Sequence, residues 1–454
     1  MNALERRATF ALSSIFALRM LGLFMIIPVF AVAGQHYDAA TPMLIGLAMG
    51  VYGLSQAIFQ IPFSLWSDRL SRKRLIIIGL ALFALGGAIA ALSDHIYGVI
   101  IGRIVAGAGA VSSVVMALLA DVTREEQRSK AMAMMGMSIG LSFVVAFAIS
   151  PWVTGQIGIT GLFWLTAVMG VLAMFSLALV PDTQRYHQPV QQNYQTQLKQ
   201  VLARADLNRL HFSIFSLHLL LAAMFVYIPS QLIRYADLAL AEHGWVYLPL
   251  LVASLLLAFP SIICAEKYRK MRGVFLAAIA GIALSFAVLA IGASWSVALF
   301  AALFLFFVAF NVLEALLPSW ISKAAPIQSK ATAMGINASS QFLGGFSGGV
   351  LGGQLLSLSP SVGWSILAVI GVLWLLVAIR LPQPPYLSTL VLRLQQRQAQ
   401  ADVLAGQLLA VQGVAEVLFM EQGDVLYLKI DRQSLGDEQR HQVEQLLGQS
   451  LPVA

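Results

Sequence analysis

Cysteine is almost absent: Cys264 stands alone in 454 residues, which excludes both a disulfide framework and a cysteine metal site. Charge is scarce too. Charged residues make up 11% of the chain, against about 25% in a soluble domain. No His–Glu metal pair, glycine-rich nucleotide loop or nucleophile elbow occurs, so the sequence offers no enzyme chemistry, no ATP coupling and no bound metal or organic cofactor. A net charge of +7 would suit nucleic acid in a soluble protein, but 59% of the residues are hydrophobic, and the partner this demands is membrane lipid.

What is present is a series of about twelve apolar windows, near 8–33, 42–66, 74–93, 96–121, 129–154, 159–180, 209–235, 243–265, 272–292, 295–321, 329–355 and 361–380. Each is long enough to cross roughly 30 Å of hydrocarbon as a helix. The first follows Arg6 and Arg7, exceeds a signal-peptide core and lacks a small-residue cleavage site, so it is read as a retained helix. Cations cluster in alternate loops: Arg69, Arg72, Lys73 and Arg74; Arg124, Arg128 and Lys130; Lys199, Arg204 and Arg209; Lys267, Arg269, Lys270 and Arg272; Lys323 and Lys330. The intervening loops carry almost only Arg234. The positive-inside rule then makes both chain ends and the loop after the sixth window cytoplasmic.

The chain is also duplicated. Ser129-Lys130-Ala131-Met132-Ala133-Met134 returns about 200 residues later as Ser329-Lys330-Ala331-Thr332-Ala333-Met334. Pro62, Asp68, Arg69, Arg72 and Arg74 are matched in order by Pro260, Glu266, Lys267, Lys270 and Arg272. Tandem copies of a membrane unit are the architecture of many secondary transporters, and six passes per copy keep both copies in one orientation. The expected fold is an all-α membrane protein of twelve transmembrane helices in two six-helix bundles, residues 1–183 and 209–382, joined by a polar, glutamine-rich cytoplasmic linker at 184–208. Leu381-Pro382-Gln383-Pro384-Pro385 ends the membrane pattern. Residues 386–454 turn soluble and acidic, with strand patterns at Thr389–Leu394, Val414–Met420 and Val425–Ile430 and helical spacing at Ala399–Val411 and Glu438–Leu447. That βαββα order resembles a small ferredoxin-like α+β domain whose fourth strand is short or missing. Without paired cysteines it reads as a docking or regulatory module for a cytoplasmic ligand or protein partner.

The run Ser64-Leu65-Trp66-Ser67-Asp68-Arg69-Leu70-Ser71-Arg72-Lys73-Arg74 resembles the signature of the major facilitator superfamily, with serine at Ser64 and Ser71 where the family has glycine. The resemblance spans the membrane part, and the added C-terminal domain is similar to the YAM domain of the bacterial YajR-type subgroup. It implies a multi-pass protein of the bacterial inner membrane. It also implies a conformational latch of Asp68, Arg69, Arg72 and Asp121: a carboxylate at a helix end faces the positive start of another helix, while a cation engages a second carboxylate. The alternative is that these cations only set topology. Arg103-Ile104-Val105-Ala106-Gly107 is similar to the family's arginine motif in helix 4, and Gly136, Gly140, Ser150, Pro151 and Gly155 form a degraded likeness of its antiporter motif.

Glu314 is the carboxylate placed well inside an apolar window, so it is the candidate proton carrier, with a protonated structural acid as the alternative. Asn311 lies three residues earlier on the same helical face. Arg19 lies about 11 residues into the first window, roughly 16 Å deep, where it must face a cavity, an anionic group or a carboxylate such as Glu314. His218 is a secondary proton candidate that also reads as a packing residue. Tyr52, Gln56 and Gln60 recur every four residues, as do Asn337 and Gln341, and with Arg103 and Tyr227 they are candidates for a substrate path. The resemblance implies alternating access that exports a small organic molecule, drug-like or sugar-like, in exchange for protons, with the proton gradient as energy source. Proton symport for uptake, and a membrane sensor signalling through the C-terminal domain, are the other readings.

Overall fold

The computed structural model describes residues 1–181, 194–292, 294–384, 386–394, 401–419, 425–431 and 434–448. Within these elements the side chains of Asp68, Arg69, Glu125, Glu126, Ser129, Tyr194, Thr389, Val391, Arg393, Ala401 and Val425 lie outside the description.

The first half comprises α1 (Ala3–Phe24), a single turn α2 (Phe30–Ala33), α3 (Pro42–Arg69), α4 (Arg72–Ala91), α5 (Ile96–Ala108), α6 (Ser112–Val122) and α7 (Glu125–Ser176). After a short helix α8 (Tyr194–Leu202), the second half runs through α9 (Ala205–Ala236), α10 (His243–Lys267), α11 (Met271–Gly292), α12 (Ser296–Ala324), α13 (Lys330–Leu355) and α14 (Pro360–Ala378). Local chemistry starts the early helices. Asn2 and Glu5 cap each other's backbone at the head of α1, and Thr41 accepts from Leu44 N at 3.2 Å just ahead of Pro42.

Among the described residues ten runs are long and apolar enough to cross a membrane, one of them the 50-residue run Lys130–Leu179. That run holds two passes, because α7 turns at Gly158, whose φ of 69° lies in the left-handed region open to glycine. The sequence windows 129–154 and 159–180 are therefore two helices that meet at this turn. Glycine-rich α13 falls below the apolar threshold but packs between α9 and α3, which completes twelve membrane helices. The fourth window is also not one helix. It breaks at Gly109–Val111 into α5 and α6, where Gly109 lies so close to α4 that a Cβ would sit 2.1 Å from Gly79 O.

The bundles meet most closely along α3 and α13. A Cβ on Gly46 would lie 2.2 Å from Gly349 O, and one on Gly50 would lie 2.6 Å from Phe346 O, so only glycine allows this approach. Gly46 follows the start of α3 and Gly349 precedes the end of α13, so the seam closes the end of the molecule opposite the Arg72 and Lys330 loops.

Past the last membrane helix come β1 (Ser388–Arg393), α15 (Ala401–Leu409), β2 (Val414–Phe419), β3 (Val425–Ile430) and α16 (Asp437–Leu447). All pairs are antiparallel in the order β1-β3-β2, the arrangement of a split βαβ unit. Leu392, Leu408, Leu426, Leu428, Val443 and Leu447 form the core between sheet and helices. A fourth strand near Leu451 would lie outside the described residues.

Candidate functional site

In the first bundle, Arg19 is 2% exposed and is the hub of a polar network. Its guanidinium donates to Ser112 Oγ at 2.9 Å, to Tyr52 Oη at 2.9 Å, to Gln56 Oε1 and to Gly109 O at 3.0 Å. The break between α5 and α6 supplies two of these acceptors, by freeing the Gly109 carbonyl and by placing Ser112 at the start of α6. A buried cation is tolerated when its terminal nitrogens are met in this way, although Arg19 Nε is left without an acceptor. Gln56 passes the network to Gln60 at 3.2 Å. Arg103, 4% exposed, donates to Met49 O at 3.1 Å and lies 5.7 Å over the Tyr52 ring. Tyr52, Gln56, Gln60, Arg19 and Arg103 thus form one cluster inside the first bundle. Arg19 does not reach Glu314, because its bonds are directed to α3 and to the α5–α6 break. Ser112 and the Gly109 carbonyl escaped the sequence reading; the glycine-alanine run ahead of Ser112 was their only signal.

In the second bundle, Glu314 of α12 faces His218 of α9, with Oε1 3.0 Å from Nε2, and keeps 31% of its side chain accessible. His218 Nδ1 lies 3.1 Å from Ile214 O. A carbonyl only accepts, so Nδ1 carries a hydrogen and Nε2 is left to face Glu314 Oε1 and, at 2.8 Å, Gln341 Nε2 of α13. With His218 neutral, Nε2 accepts from the Gln341 amide. Glu314 Oε1 approaches the same nitrogen as an ion-pair contact at 3.0 Å. The geometry therefore joins α9, α12 and α13 at one polar cluster. Asn311 does not join it, since Nδ2 donates to Ser254 Oγ of α10 at 3.1 Å. Asn337 is 5% exposed, and Tyr227 is 1% exposed, its ring 4.9 Å from that of Trp364. Of the candidate path residues in this half, Gln341 is the one the structure brings to Glu314 and His218.

At the charged end, Arg72 pairs with Asp121 and donates to Ala117 O at 2.6 Å, tying the start of α4 to the end of α6. The side chains of Asp68 and Arg69 lie outside the described residues. In the second copy Glu266 of α10 pairs with Lys323 and accepts from Ser319 Oγ at 2.6 Å, both on α12. Among the described residues no cluster of His, Cys, Asp and Glu could hold a metal ion.

The comparisons agree with this architecture. The Major Facilitator Superfamily matches residues 12–346. The chain is 42% identical to the inner membrane transport protein YajR of Escherichia coli K12 over 453 residues, 98% of each protein. It is 26% identical to multidrug resistance protein 2 of Bacillus subtilis, over 77% of this chain and 88% of that protein. The solved D-xylose-proton symporter superposes with a TM-score of 0.69 at 14% identity, covering 83% of this chain and 98% of that one, a likeness of fold. With two six-helix bundles, a duplicated charged loop and a family match across most of its length, the chain belongs to the major facilitator superfamily of membrane transporters.

Proposed function

We propose that this transporter is a proton-coupled antiporter that exports a small organic molecule across the bacterial inner membrane by alternating access, with both chain ends in the cytoplasm. The observation that carries proton coupling is the Glu314–His218 pair, a carboxylate and an imidazole 3.0 Å apart inside the second bundle. Each state of the transport cycle would present this pair to one side of the membrane, so loading and unloading of its proton would accompany the rocking of the halves. Asp68 and Arg69 serve as the latch on the charged end, with the Arg72–Asp121 pair bracing α4 against α6 within the first bundle behind them. Placing that end in the cytoplasm rests on the loop cations. Export is supported by the kinship with a multidrug resistance protein, and the inner membrane location by the 42% identical relative.

The test is a sidedness assay in proteoliposomes. Substrates identified in a screen under an imposed pH gradient are added outside, and the external pH is followed. Antiport predicts acidification outside as substrate enters against outgoing protons; alkalinisation would instead assign symport and uptake, and no pH change would remove proton coupling.

A further inference from the structure

Strand β3 alternates Leu426, Leu428 and Ile430 into the domain core, all 4% exposed or less. Lys429 therefore projects from the opposite face, which in an isolated three-stranded sheet meets water, yet it is only 3% exposed. The second bundle covers it. Lys429 Nζ donates to Ala325 O in the α12–α13 connection and stands 3.4 Å from Glu416 Oε2, its cross-strand partner on β2. Glu416 Oε1 in turn accepts from Ile327 N at 2.9 Å in the same connection. Asp431, just past β3, takes both guanidinium nitrogens of Arg269 in the α10–α11 turn, one of them at 3.2 Å. Tyr386 Oη accepts from Met271 N at 3.1 Å beside it, with the Arg269 guanidinium 5.1 Å over the ring. Burial pushes the Lys429 ammonium below lysine's ordinary range while Glu416 draws it back up, and the Asp431 carboxylate raises Arg269.

We propose that the C-terminal domain is a clip: Lys429, Glu416 and Asp431 fasten the α12–α13 connection and the α10–α11 turn to one rigid sheet, and thereby favour the state in which the α3–α13 seam is closed. The argument rests on alternating access and not on proton coupling. α13 is held near its start by Thr332 Oγ1 donating to Gln197 Oε1 at 2.7 Å, and the connection that leads into it is held by the domain at Ala325 and Ile327, next to Ala324 O at the end of α12, which accepts from Arg204 at 2.9 Å. Its other half makes the glycine seam with the first bundle. A 26-residue helix is a rod of roughly 39 Å, so fixing one end sets the angle at which the other meets α3. Rocking of the bundles must swing that rod or detach the clip.

Spin labels on a Cys264→Ser background test this, using Val403 and Arg380 for the distance from domain to second bundle, and Leu70 and Arg380 for the distance between bundles. All three positions are exposed. Lys429→Met and Arg269→Ala are expected to broaden the Val403–Arg380 distribution, raising the undocked fraction about fivefold, and to move the Leu70–Arg380 population toward a second state. The charge exchange Arg269→Asp with Asp431→Arg is expected to restore both distributions, which separates loss of the clip from misfolding. Unchanged Val403–Arg380 distances in both single variants would show that these contacts do not hold the domain. A released domain with unchanged Leu70–Arg380 populations would show that the clip does not set the state. Either result overturns the proposal.

Discussion

Arg19 and Glu314 show how differently two intramembrane charges are accommodated. Arg19 is fully enclosed and met by neutral acceptors, so its role in this structure is to bind α1 to α3 and to the α5–α6 break. Gln56→Leu removes one acceptor from a buried cation and should destabilise the protein by about 1–3 kcal/mol. A clear fall in the thermal unfolding midpoint in detergent checks this, and an unchanged midpoint would show that another group replaces the amide. Depth in the membrane was legible in the sequence for both charges, because each interrupts an apolar window. Partnership was not. The acceptors of Arg19 come from a helix break, and which helices face Glu314 depends on how the second bundle packs. His218 read equally well as a packing residue until Glu314 was found beside its Nε2.

At the scale of elements, the α3–α13 seam decides which end of the molecule is shut. Gly46→Val places branched carbons where Gly349 O lies 2.2 Å from a Cβ, so the closed seam must open. Overpacking of this kind costs about 1–3 kcal/mol, enough to move the equilibrium between states by roughly 5- to 150-fold toward the seam-open arrangement. Distances between labels on the two bundles at the seam end would report it, and an unmoved distribution would mean that the seam carries no share of the balance. Gly158→Ala tests the bend in α7. A side chain at a φ of 69° should cost about 1 kcal/mol, read as a lower unfolding midpoint, whereas no loss would show that the bend does not depend on glycine. Helix count and duplication were legible because apolar runs and copied motifs are local signals. The break at Gly109–Val111 was not, since alanine and valine beside a glycine read as ordinary helix. The β1-β3-β2 pairing was foreshadowed by strand alternation in the C-terminal stretch.

For the whole molecule, the two copies share a scaffold and divide the work. The first holds the Arg72–Asp121 pair and the Arg19 network; the second holds Glu314, His218 and Gln341 and carries the C-terminal domain on its loops. The sequence repeat made the common scaffold visible, while the partners of Glu266, Lys323 and Ser319 on α12, come only from the packing of the second bundle. The account turns on Glu314 as the group that ties proton movement to the rocking of the halves. Its most direct test is transport in proteoliposomes by native protein and by Glu314→Gln, measured both as uphill movement driven by a pH gradient and as exchange at equal pH. The account predicts that Glu314→Gln loses gradient-driven movement while exchange at equal pH persists; gradient-driven movement at the native rate in Glu314→Gln would contradict it.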